Sequence, residues 1–198
     1  MNATQQILDF ASESGAITSA DVDAMGISRS CLASLHRRGI LDRVERGVYQ
    51  CSDELPDSLY LSQLRFPQGI YSGETALSLA GLTDQIVETP EMTFPSHYVV
   101  NPPRRAGIAV YQQISERYES GVTTYSTIFG HTVRGYSPEK TLADLLLPRR
   151  HTEKGVIISA FRQYMALPKN QQKIAHVVEF ARMMGVDKKA LTLLEILD

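Results

Sequence analysis

Between Ser28 and Gly47 the chain carries five arginines, Arg29, Arg37, Arg38, Arg43 and Arg46, against only Asp42 and Glu45, a local net charge of +3. Residues 1–27 are the reverse, with Asp9, Glu13, Asp21 and Asp23 and no lysine or arginine. A guanidinium is a rigid planar fork that matches phosphate oxygens and the O6/N7 edge of guanine. The chemistry such a cluster offers is therefore recognition of nucleic acid. The whole 198-residue chain has a formal net charge of −2, so this contact must be local and sequence-selective rather than a general coating of polyanion. His36 lies among the arginines without a cysteine or histidine at ligand spacing, and reads as a phosphate-facing or solvated side chain rather than a metal ligand.

The elements that would position these arginines follow from periodicity and caps. Ile7, Leu8, Phe10 and Ala11 form one stripe of a first helix, which Gly15 ends. Thr18 and Ser19 are good caps for a second helix, and Asp21 and Asp23 suit its positive end. Gly26 supplies a turn and Ser28 caps a third helix with Ile27, Leu32, Leu35 and Ile40 on its buried side. Arg29, Ser30, Ala33, Ser34 and Arg37 are left on its outer side. Leu41 to Gln50 reads as a β-wing turning at Gly47, with Arg43 and Arg46 on it and Asp42 and Glu45 orienting those arginines or solvated. Two short helices and a wing make a winged helix-turn-helix over residues 1–52, whose third helix would enter the major groove. The same architecture also serves as a protein-interaction module without a DNA target, and both readings remain open at this point.

The rest reads as an α+β domain over residues 56–198. Ser52-Asp53-Glu54-Leu55-Pro56-Asp57 is a polar linker, and Asp57 to Arg65 is a helix. An extended entry at Gly69–Tyr71 leads to a helix capped at Ser72 and stopped at Gly81. Strands are expected at Met92–Phe94, Ala109–Gln112, Thr123–Phe129 and Thr132–Tyr136, the last two forming a hairpin. Asn101 to Arg105 reads as a loop with a cationic tip, and Ser137-Pro138 opens another helix. The sheet-containing part reaches to about residue 150, and residues 153–198 carry three amphipathic helices. Glu139 and Asp144 flank Lys140, but no histidine completes an acid–base set, and Lys140 with Asp144 reads as a surface i,i+4 pair. No nucleophile elbow, phosphate loop or metal-ligand spacing is present, so the sequence argues against an enzyme and calls for no metal or cofactor. Cys31 and Cys51 do not make a disulfide framework, the polar start lacks a secretion signal and no run is long enough to span a membrane, which together suit a reducing cytoplasm.

Taken in order, the N-terminal winged helix, Tyr71-Ser72-Gly73-Glu74-Thr75-Ala76-Leu77, Thr93-Phe94-Pro95, the hairpin around Gly130, Tyr136 to Asp144, Phe161 to Tyr164 and Ala181 to Val186 resemble the AbiEi family of antitoxins from abortive-infection, phage-defence toxin–antitoxin systems. The resemblance covers nearly the whole chain. It implies a repressor of its own operon that binds inverted repeats in the promoter; since one winged helix gives a small footprint, two copies per operator are expected. It also implies neutralisation of a nucleotidyltransferase-fold toxin without a requirement for a stable complex. On that resemblance Arg29, Ser30, Ser34, His36, Arg37 and Arg38 fall on the recognition helix, and Arg43, Arg46 and Gly47 on the wing. No sharp motif marks an antitoxic surface. The basic candidates are Arg104, Arg105, Arg149, Arg150 and Lys154, of which the Arg149–Lys154 cluster could meet nucleic acid, meet an acidic toxin surface, or be a solvated junction.

Overall fold

The computed structural model describes residues 2–53, 55–169 and 172–197; Glu54 of the expected linker lies outside them. The backbone groups into two compact units. The first holds residues 1–67 with the short return segment 126–133, and the second holds residues 68–125 and 134–198. The sequence reading had placed the division at 52–56 and had not foreseen the return segment.

In the first unit, α1 (Ala3–Ser14) closes at Gly15, whose φ of 74° is the left-handed conformation that a side chain would strain. A Cβ there would also strike the His131 ring, 2.1 Å from its Nε2. The second helix, α2 (Ser19–Ala24), starts with a capping box: Thr18 Oγ1 accepts from the Asp21 amide, and the Asp21 carboxylate accepts from the Thr18 amide. Next, α3 (Ser30–Arg37) begins two residues after Ser28, whose hydroxyl still accepts from the Ser30 amide at 3.3 Å. Strands β1 (Ile17–Thr18), β2 (Leu41–Glu45) and β3 (Val48–Cys51) form an antiparallel sheet in the order β1-β3-β2. Ile7, Ala11, Ile17, Val22, Leu32, Leu35 and Leu41 make its core, so α1, α2 and α3 each present one apolar stripe to the same centre.

Helix α4 (Ser58–Arg65) packs on the wing sheet, with Leu61 against Ala16 and Val48. Asp57 caps α4 through Oδ1 and, through Oδ2, accepts hydrogen bonds from Thr127 Oγ1 and from His131 Nδ1 at 2.9 Å. The His131 ring stacks on Tyr60 with centroids 4.3 Å apart. The sequence reading had Thr127 in a strand and His131 in the hairpin turn that follows it, without a link to Asp57. The strand ends at Ser126, and Thr127 to His131 form the tight turn.

The second unit is built on strands β4 (Ile70–Tyr71), β5 (Glu91–Pro95), β6 (Ala109–Gln113), β7 (Val122–Ser126) and β8 (Thr132–Tyr136), in the order β6-β5-β4-β8-β7. The pairs β5–β6 and β4–β8 are parallel and β4–β5 is antiparallel. Its helices are α5 (Gly73–Leu79), α6 (Asn101–Arg105), α7 (Ser115–Glu119), α8 (Pro138–Leu145), α9 (Lys154–Met165), α10 (Ile174–Met184) and α11 (Asp187–Leu197), with a 3-10 turn at Pro148–Arg150. The sequence reading treated Asn101–Arg105 as loop and missed α7, two five-residue helices too short for a periodic signal. Helix α8 is packed by α5, α9 and α10, and every residue from Glu139 to Leu145 is buried. Leu142, Ala143, Leu145, Phe161, Val177 and Ala181 are central to its apolar surroundings. The chain is thus α+β, a winged helix-turn-helix followed by a mixed sheet with a helical C-terminus, as expected.

Candidate nucleic-acid interface

The outer surface of α3 is assembled by the core on its inner side. Burying Leu32 and Leu35 turns Arg29, Ser30, Ala33, Arg37 and Arg38 to solvent and leaves Ser34 half-buried. The wing, closed by a turn at Glu45-Arg46-Gly47, exposes Arg43 and Arg46 while Val48 fills the core. Its turn is tied to the start of α2 by the Ser19 amide, which donates to the Gly47 carbonyl at 2.9 Å.

The arginines are not equivalent. Arg29 is ion-paired with Asp23, a contact that holds the Asp23 carboxyl below its ordinary range. Arg37 folds its Nε back to the Ala33 carbonyl at 3.3 Å, and no carboxylate among the described residues pairs with Arg37, Arg38, Arg43 or Arg46. Glu45, expected to orient the wing arginines or to be solvated, does neither and pairs with Arg65 of α4. His36, expected to be solvated or phosphate-facing, is exposed but anchored: its Nδ1 donates to the Leu41 carbonyl at 2.9 Å and its ring meets Tyr49 edge-on. What this face can do is present four uncompensated guanidinium groups on two rigid supports, a helix and a hairpin, the arrangement that fixes a protein's register on a phosphate backbone.

Residues 5–51 match the family model for the AbiEi antitoxin transcriptional regulator. The match lies on the winged helix and includes every arginine of that surface. It indicates a transcriptional regulator of the abortive-infection antitoxin kind, in agreement with the resemblance drawn from the sequence. No curated protein matches the chain. Among solved structures, the crystal structure of RV2827C protein from Mycobacterium tuberculosis is similar, with a TM-score of 0.59 and 11% sequence identity over 98% of this chain and 80% of that one. At that identity the likeness is one of fold alone.

In the second unit the basic candidates for an AbiEi-type antitoxic surface separate. Arg104 and Arg105 are exposed on α6, and Arg149 and Lys154 are exposed beside the 3-10 turn. Arg150 does not belong with them. It is 4% exposed, and its side chain is used up inside the fold. Nη1 donates to Ser72 Oγ at 3.1 Å and Glu91 Oε2 at 3.2 Å; Nη2 donates to Thr93 Oγ1 at 3.1 Å and to Asp144. The guanidinium also lies over the Tyr111 ring, 3.9 Å from its centroid.

Lys140 and Asp144 are likewise no surface pair, because both side chains are fully buried. They do share a face of α8, but that face meets Gln113 of β6, which accepts from Lys140 Nζ at 3.1 Å and donates to Asp144 at 2.7 Å. Burial pulls the Lys140 ammonium down to about 8 despite the offsetting pull of Asp144. Burial alone would raise Asp144, but Arg150 and Lys140 outweigh it and hold the carboxyl below its ordinary range. Ser72, expected as a cap, occupies the cap position of α5, yet its hydroxyl oxygen accepts from Arg150 and Thr93 rather than from the helix. Glu91 supplies the cap instead, accepting from the Glu74 amide at 2.9 Å. Gly73, at φ 55°, allows that approach, since a Cβ there would lie 2.3 Å from Glu91 Oε2. Ser72, Glu91, Thr93, Tyr111 and Gln113 were missed by the sequence reading. Their separations of 37–78 residues from Arg150 leave no local signal.

Among the described residues no cluster of histidine, cysteine, aspartate or glutamate is arranged to hold a metal, and no helix is long and apolar enough to cross a membrane.

Proposed function

We propose that the chain represses its own operon by binding inverted repeats in the promoter, with α3 in the major groove and the wing on the flanking backbone. The observation that carries this reading is the set of exposed arginines, Arg37, Arg38, Arg43 and Arg46, left without acidic partners among the described residues on the segment that matches the AbiEi regulator. Ser30 and Ser34 complete the helix face, while His36 and Gly47 shape its junctions with the sheet. Arg29, already engaged by Asp23, contributes less than the other arginines. One winged helix gives a small footprint, so two copies occupy each operator. The protein works in the cytoplasm. Its second unit, residues 68–125 and 134–198, neutralises a cognate nucleotidyltransferase-fold toxin, with Arg104, Arg105, Arg149 and Lys154 as the basic groups available at the surface.

A gel shift with the upstream DNA at several salt concentrations tests the first half. The double substitution Arg37→Ala/Arg38→Ala weakens operator binding at least ~10-fold and lowers the salt slope by about 2, since each phosphate contact releases condensed counterion. Unchanged affinity in that variant removes α3 as the reader. Co-expression with the toxin separates the two activities: the same variant loses repression and keeps neutralisation. Charge reversal at Arg104, Arg105, Arg149 and Lys154 does the opposite.

A further inference from the structure

Helix α11 of the second unit carries an exposed stripe that the regulator reading does not use. Lys188, Leu191, Thr192, Glu195 and Ile196 follow one another at the spacing i, i+3, i+4, i+7, i+8, so they share one face of the helix, and all five are exposed. Leu191 is 42% exposed and Ile196 72%, two large apolar side chains set among the charges. Beside this stripe, α9 and α11 leave an apolar groove of about 410 Å³ walled by Leu146, Ile157, Ile158 and Leu193. Two features say what covers this face.

The first is the order of charge along α11. A helix is partly positive at its N-terminus and partly negative at its C-terminus, so it favours acids first and bases last. Apart from Asp187, α11 does the reverse: Lys188 and Lys189 stand in its first turn and Glu195 in its last, with no base there. Among the described residues no ion pair answers Lys188, Lys189 or Glu195. Lys189 Nζ reaches only the Leu146 carbonyl, at 3.4 Å.

The second is self-complementarity. Seven residues, about two turns, separate Lys188 from Glu195 on the same face. A second α11 laid antiparallel on the first, about a two-fold axis at Leu191 and Thr192, brings each Lys188 opposite the other copy's Glu195. One patch then serves both copies, as a two-fold contact requires. The first turn of each helix also meets the last turn of the other, so a charge order that one helix alone disfavours is answered twice in the pair. A parallel pairing would set Lys188 against Lys188 and Glu195 against Glu195.

We propose that the chain forms a two-fold dimer by antiparallel packing of α11 on the α11 of a second copy. Lys188 and Glu195 pair reciprocally across the axis, Leu191 and Thr192 meet at its centre, and Ile196 of each copy leans toward the other's groove between α9 and α11. A contact built on one helix face is small, so the dimer is a reversible one. It is a property of the free chain and does not rest on the DNA-binding reading.

The test is sedimentation velocity of the full chain at low salt, from about 1 to about 200 µM, the range in which a small reversible contact is part-formed. The expected result is a monomer–dimer equilibrium across that range. Ile196→Asp weakens it at least ~10-fold by placing a charge in the apolar seam. Lys188→Glu and Glu195→Lys, each alone, weaken it at least ~5-fold, because each sets like charges opposite one another twice. The double variant Lys188→Glu/Glu195→Lys returns to within about threefold of wild type, since the pairs are rebuilt with their signs exchanged. Each single reversal also gives its end of α11 the charge that the helix favours, so the melting temperature of the monomer holds or rises while dimerisation falls. A merely structural role for these residues would move both together. A chain that stays monomeric up to about 200 µM overturns the proposal and leaves the face to a different protein. A dimer indifferent to the single reversals overturns it, as does a double variant no better than the singles.

Discussion

The two units use the same residue in opposite ways. In the first, Arg37, Arg38, Arg43 and Arg46 stand on a helix and a hairpin with no carboxylate among the described residues to neutralise them. In the second, Arg150 is enclosed by Asp144, Glu91, Ser72 and Thr93 and holds three parts of the chain together. A guanidinium left in water costs the fold little and is available to a partner. One taken out of water needs opposite charge and hydrogen-bond acceptors gathered around it, or its desolvation costs the fold heavily. Composition alone cannot tell the two apart; the geometry of the surrounding elements decides.

That contrast gives a ranked set of tests. Asp144→Ala strips the buried cluster of its central carboxylate, leaving Lys140 without a counter-charge and Arg150 with Glu91 alone. Urea unfolding should show a loss of about 3–5 kcal/mol, the range for breaking a buried pair by removing one partner. By contrast, the Arg37→Ala/Arg38→Ala variant should stay within about 0.5 kcal/mol of wild type while losing DNA affinity. If the two variants were equally destabilised, the division of labour between exposed and buried arginines would fail.

Within the first unit, Asp57→Ala removes the cap of α4 together with the acceptor of Thr127 and His131. The expected cost is about 2 kcal/mol, read by thermal or urea unfolding. Thr18→Ala breaks only the capping box of α2 and should cost about 1 kcal/mol by the same measurement.

The smallest effect near neutrality concerns Lys140. Its folded pKa, about 8, lies below the ordinary 10.5, so between those values the unfolded chain binds the proton and the folded chain does not. Stability attributable to this group therefore rises as pH climbs from about 8 to 10.5. Lys140→Met leaves Asp144 with Arg150 and Gln113. The difference between wild type and variant in denaturant midpoint should shift in favour of wild type across that window. A difference independent of pH would mean that the ammonium keeps its ordinary affinity for the proton.

The winged helix was legible because its signals are local. Gly15, Thr18 with Asp21, and the apolar stripe Ile27, Leu32, Leu35 each act within a few residues of themselves, and the cationic face is what remains once that stripe is buried. The ends of the second unit's longer helices were legible for the same reason, as Ser137-Pro138 and Gly185 show. The polar core was not. Lys140 and Asp144 have the spacing of an ordinary surface pair, and nothing within a turn of α8 reveals that Gln113 and Arg150 come to meet them. Arg150 itself stands next to Arg149, identical in type, and one is buried while the other is exposed. The same limit hid the partnership of Asp57 with His131, 74 residues apart.

That last pairing matters to anyone who dissects the molecule. A fragment stopped at residue 67 would discard Thr127 and His131 and leave the Asp57 carboxylate with only one of its three hydrogen bonds, the cap of α4. The first compact unit of this protein is therefore written in two places along the gene. A chimera that borrows it has to inherit both pieces, residues 1–67 and 126–133, to receive a finished domain.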